Sequence, residues 1–268
     1  MVTENKNANQ KAREMSTANE ETTNAAREKD EPPIFFFVKV FSKAEYAEAF
    51  LDGNIYFNRL SYFKDIEDED SPARGDRYEG TMEWRQPADV KKLTTTINGR
   101  DFELGPIAAP LRAQWVGLND VHVFCLYAAQ AGNLVDVELE GTNLVGAKLH
   151  VPPELARFGE HVVLIENEPF IHRLATVINA TSWGRTNGLV EYYDPGAFSG
   201  EFTADEAVLK KRNEFAYQNE YRVAFHDGTS GTKGMTLPIG SLRDIARRVH
   251  GEDLRGGITL NIGRTKPV

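Results

Sequence analysis

The 268-residue chain carries a single cysteine, Cys125. No internal disulfide is possible, which excludes a secreted disulfide scaffold and fits a reducing cytosol. The paired cysteines of the common zinc sites are missing too. No apolar run approaches the ~20 residues that a membrane helix needs. No apolar h-region stands near the N-terminus, so the expected location is cytoplasmic, with no membrane partner. Basic charge is short: 31 Lys and Arg stand against 40 Asp and Glu, a net charge of −9. That balance argues against non-specific nucleic-acid binding, which rests on cationic phosphate contacts. Residues 1–31 contain no Phe, Trp or Tyr, so they bury too little apolar area to offset the entropy of ordering. They are expected to be a disordered N-terminal tail ahead of a single α+β domain, 32–268.

Familiar catalytic signatures are absent as well. There is no phosphate loop ending in Lys-Ser or Lys-Thr, no G-x-G-x-x-G, no G-x-S-x-G and no H-E-x-x-H. His122 and Cys125 lie three apart on one expected strand and so face opposite sides, which argues against a Cys–His nucleophile. Cys125 reads as a small core residue.

What is present is a strand-rich pattern. Ile34–Phe41 is a nearly continuous apolar run, read as a buried central strand. A helix is expected over 43–51, with Ser42 as N-cap, Glu45 completing a capping box, and Gly53 as its left-handed stop. Residues 54–58 read as a strand, 60–80 as an irregular loop and 81–85 as a short strand. Asn98-Gly99 marks a hairpin between 94–97 and 101–104. Further strands are expected over 121–127, 147–151, 162–165, 189–193, 221–225 and 257–262. Helices are expected over 153–158, 169–178, 205–216 and 242–249. About eight strands and four or five helices, without regular βαβ alternation, give a strand-rich α+β fold rather than a doubly wound sheet.

Three segments carry the candidate chemistry. Gly53–Arg59, continuing through Tyr62-Phe63-Lys64-Asp65, sets aromatic rings beside Arg59, a platform for a nucleotide base. Arg74-Gly75-Asp76-Arg77-Tyr78-Glu79-Gly80 places two arginines where bidentate contacts suit a phosphate. The same loop reads equally as an exposed stretch neutralising the acidic run 65–70, which lacks the ligand spacing of a calcium loop. Gln218-Asn219-Glu220-Tyr221-Arg222 leads a polar run into an apolar strand. Glu220 and Arg222 fall on one face there, either as an ion pair or gripping an anion together.

With 123–127, 157–163 and 190–194, these segments resemble a family of bacterial and phage proteins whose members often lie near mobile or antiviral-defence genes. Its pattern runs through G-x-IYF, F-x-D and a late Q-x-EYR, here Gly53–Phe57, Phe63–Asp65 and Gln218–Arg222. More remotely, the motif order resembles DNA-targeting ADP-ribosyltransferase toxins. That resemblance implies NAD as cofactor, no metal, and a transferase or NAD-cleaving activity used in phage defence or counter-defence. It implies Glu220 as the catalytic glutamate, Arg74 or Arg77 as the dinucleotide-contacting arginine, and Tyr62 stacking on nicotinamide. Where such enzymes grip the cofactor with a first-strand His or Arg, this chain has Lys39. Two other classes stay open. One is a non-enzymatic module binding a ligand or a basic protein patch; the other is a nucleic-acid-processing enzyme drawing metal carboxylates from 65–70.

Overall fold

The computed structural model describes residues 32–65, 75–254 and 256–261. The expected tail and most of the acidic run lie outside them. In chain order the elements are β1 (Ile34–Phe41), α1 (Ala44–Leu51), β2 (Asn54–Arg59), α2 (Leu60–Asp65), β3 (Thr81–Arg85), β4 (Leu93–Ile97), β5 (Arg100–Leu104), β6 (Leu111–Gln114) and β7 (His122–Gln130). Then come β8 (Leu134–Glu140), β9 (Asn143–Leu149), β10 (His161–Glu166), α3 (Asn167–Asn179), β11 (Gly184–Leu189), β12 (Glu191–Tyr193) and β13 (Gly200–Glu201). The chain continues through α4 (Ala204–Val208), β14 (Lys210–Arg212), β15 (Glu220–His226), β16 (Met235–Pro238), β17 (Ala246–His250) and β18 (Ile258–Asn261). The fold is a strand-rich α+β one, with more and shorter strands than the hydrophobic pattern shows.

The main sheet runs β11-β15-β7-β1-β10-β17, with β2 joining β7 and carrying β16 on its other side. Alternation along the central strands splits the core in two. One face sends Phe37, Phe124, Leu126, Ile165 and Phe225 beneath α1 and α3. The other carries Val38, Tyr127 and Val162 under Leu149 and Leu155, and Val123 and Ala224 under Phe202 and Val208. Helix α1 docks through buried Ala47, Phe50 and Leu51. Its N-cap is Lys43, which makes no side-chain capping bond, so the expected Ser42 box does not form. At its end Gly53 has φ +86°, and a Cβ there would stand 1.8 Å from the Gly240 carbonyl. Only glycine lets that close approach occur. The Asn98-Gly99 hairpin forms as expected, both residues at positive φ.

Three further expectations fail. Residues 60–65 are helix α2 instead of irregular loop. The helix expected over 205–216 stops at Val208, despite a Thr203–Glu206 capping box. Residues 210–212 instead pair in parallel with β12, which points Lys211 inward. The helix expected over 242–249 is a turn followed by strand β17, paired along β10. Leu242, Ile245 and Ala246 do reach the core, so the helical spacing found the buried residues but not the backbone. In both cases a sheet partner distant in sequence overrides local preference.

Candidate functional site

A split in the main sheet creates the site. Strand β1 pairs with β7 only as far as Val38 opposite Tyr127. Strand β2 pairs with the same edge of β7 only at Asn58 opposite Val123 and Arg59 opposite His122. Between these pairings Phe124, Cys125 and Leu126 border an opening. A cavity of about 670 Å³ occupies it and reaches both faces of the sheet. Phe41 and Phe50 meet it from the face under α1 and α3, and Leu155 and Phe158 from the opposite face; Tyr46, Tyr56, Tyr62, Lys211, Gln218 and Glu220 also line it. Such a volume, lined by several aromatic rings together with polar and charged side chains, suits a small planar ligand with polar edges.

Lys39 crosses the opening. Its ammonium donates to the Cys125 carbonyl at 2.6 Å and lies 4.6 Å from the centroid of the Phe124 ring. Cys125 also lines the cavity. Burial, with Glu220 adding to it, pushes its thiol up to about 12, so it stays a thiol at neutral pH.

Glu220 sits in a buried quartet of charges. Arg222 Nε donates to its Oε1 at 2.7 Å, and Lys211 Nζ stands 3.3 Å from its Oε2. Arg222 also donates to both oxygens of Glu79, at 2.9 and 3.0 Å, and Lys211 stands 3.2 Å from the same carboxylate. Two carboxylates thus face two cations, so the group is neutral overall. Burial alone would raise both carboxyls; Arg222 and Lys211 override it and hold both below the usual carboxylate range. Burial would likewise lower Lys211, but the two carboxylates hold it up. Among the quartet, Glu220 and Lys211 reach the cavity wall, while Arg222 and Glu79 stand behind them.

The structure therefore brings Glu220, Lys39 and Tyr62 to one cavity. Arg59 is not on its wall. It is buried and donates to the carbonyls of Asp120, Thr229 and Lys233 and to the Thr229 hydroxyl. Asp227, 3.5 Å away, also accepts from His122 Nε2 at 3.3 Å. Arg59 thus holds the 226–233 turn against β7. Arg222 is fully buried and braces Glu220 and Glu79, with no cavity exposure. Arg77 is exposed and lies over the Tyr78 ring, away from the cavity. Arg74 lies outside the described residues. Where the sequence reading placed a phosphate clamp of arginines, the described ones face structural partners or solvent.

Sequence reasoning missed Glu79 and Lys211. Glu79 lies in the segment singled out for its arginines, but burial went to the carboxylate. Lys211 was hidden by the expected helix, and no local signal marks it. No match was found when the chain was compared with protein-family models, curated proteins and solved structures.

Proposed function

We propose that the split in the sheet binds a nucleotide-type small molecule and that Glu220 faces its N-glycosidic bond, in NAD cleavage or ADP-ribosyl transfer. One observation supports this most. Glu220 comes from a segment far in sequence from Lys39 and Tyr62, yet all three line one cavity that also carries several aromatic rings. Breaking an N-glycosidic bond develops positive charge on the ribose. A carboxylate kept ionised by Arg222 and Lys211 is ready to stabilise that charge without reorganising. Tyr62, on α2 at the rim, offers a face for an aromatic ring.

The test is nicotinamide release from NAD, with NAD binding measured alongside. Wild type should bind and release. Glu220→Gln should still bind but release about 10²–10³-fold more slowly. Absence of both binding and release by the wild type rejects the proposal. Undiminished release by the variant rejects the role of Glu220.

A second reading has its own observation. Both oxygens of Glu220 are already engaged, by Arg222 and Lys211. A carboxylate so committed suits a rigid wall, and on this reading the chain is a non-enzymatic ligand-binding module. It requires binding without turnover, with the same affinity in Glu220→Gln.

A further inference from the structure

We infer that the open edge of β7 reads the ligand, and that it selects a planar heterocycle carrying an amide-type edge, as in adenine or a ring carboxamide. This rests on the proposal that the cavity takes a nucleotide-type molecule. The argument begins with the ladder. In an antiparallel strand, alternate residues turn both N–H and C=O to the same side. The Ala128 N–H donates to the Asn219 carbonyl, next to β15. By alternation, Tyr127, Cys125 and Val123 turn their backbone groups the other way, towards β1 and β2. Tyr127 lies opposite Val38 and Val123 opposite Asn58. Cys125 is the residue left between them, and its carbonyl meets the Lys39 ammonium instead of a strand.

The opening therefore presents one backbone donor and one backbone acceptor, side by side at residue 125. That pair matches an adjacent N–H and ring nitrogen, or the N–H and C=O of a carboxamide. Rings flank the position: Phe124 next in sequence, and Phe41 and Tyr46 on the same wall. A ligand N–H takes the Cys125 carbonyl in place of Lys39, and a ligand acceptor meets the Cys125 N–H. The Lys39 ammonium swings off the carbonyl when this happens.

The single cysteine makes the test direct. Full-length protein labelled with ¹⁵N only at cysteine gives one backbone amide signal, that of residue 125. Two neutral probe pairs differ in the N–H donor alone: adenosine against purine riboside, and nicotinamide against 3-acetylpyridine. In each pair the N–H-bearing member should bind about tenfold tighter or more, and saturation with it should move the Cys125 amide signal downfield. In Lys39→Met the preference should persist, because the backbone supplies the contacts. Equal affinities within the pairs, an unmoved signal at saturation, or loss of the preference in Lys39→Met would each overturn the inference while leaving nucleotide binding intact. If none of the four probes binds, NAD binding by the same protein separates the cases: NAD bound overturns this inference alone, and NAD neither bound nor cleaved removes the proposal beneath it as well.

Discussion

Arg59 and Arg222 are both buried, Arg59 on β2 beside the split and Arg222 on β15 at the opposite edge of β7, and each is satisfied differently. Arg222 faces two carboxylates and the Val208 carbonyl inside the core, where no water replaces a lost partner. Arg59 mostly faces backbone carbonyls of a turn, and residues 228–233 of that turn are exposed. A guanidinium among carboxylates compensates charge; one among carbonyls chiefly ties a segment down. The comparison teaches that burial of an arginine does not say what it does, whereas its partners do. It also predicts that the two regions fail in different ways.

The largest effect should come from Arg222→Met. It leaves Glu79 and Glu220 buried with Lys211 as their sole cation, so about 3–5 kcal/mol of stability should be lost at pH 7. Denaturant titration measures this. In that variant the carboxyls no longer gain from the guanidinium and take up protons more readily, so the deficit against wild type should shrink as pH falls towards 4. Arg59→Met should cost less, about 1–3 kcal/mol, because the released carbonyls of an exposed turn can turn to water. Equal losses, independent of pH, would show that the partners do not set the two arginines apart.

The pH dependence of wild-type stability should separate the regions next. Burial, aided by Arg59, lowers the His122 pKa against the opposing pull of Asp227. Its Nδ1 is buried without a hydrogen-bond partner among the described residues. The unfolded chain binds the proton more readily there, so stability should begin to fall once pH drops below about 6.5. Glu79 and Glu220 have lowered folded pKa values. Their contribution is complete above the unfolded value of about 4.3 and is lost as pH falls below it. Two steps should therefore appear in midpoint against pH. His122→Gln should abolish the upper step and leave the lower. A single step near pH 4 in wild type would remove His122 from this account.

These two regions also show how much was legible beforehand. The apolar runs marked β1, β7, β10 and β15, because alternating or continuous hydrophobicity reports burial directly. Gly53 and Asn98-Gly99 marked their turns because only certain residues accept positive φ. Residues 210–212 and 246–250 did not show as strands, since their partners, β12 and β10, are set by the tertiary fold. The pairing of Glu220 with Arg222 was visible from spacing along one strand. Its extension was not: Glu79 joins from a segment 143 residues away in sequence from Arg222, and Lys211 turns inward only because 210–212 pair with β12. The cavity itself was invisible, since it depends on where β1 and β2 part from β7.

Arg77 sharpens the comparison from the other side and carries the smallest expected effect. It shares a loop segment with Glu79, two residues away, yet Glu79 is fully buried and Arg77 is exposed. The sequence alone favours the arginine as the functional group, since guanidiniums grip phosphates. The structure turns it away from the cavity, over Tyr78. Arg77→Ala should leave both the denaturation midpoint and nucleotide affinity close to wild-type values, because an exposed substitution away from the cavity costs little. Glu79→Gln, which takes one charge from the quartet, should lower the midpoint clearly. A loss of nucleotide affinity in Arg77→Ala would mean that this loop reaches the ligand after all, and the boundary of the site drawn at the rim of the split would have to move outward.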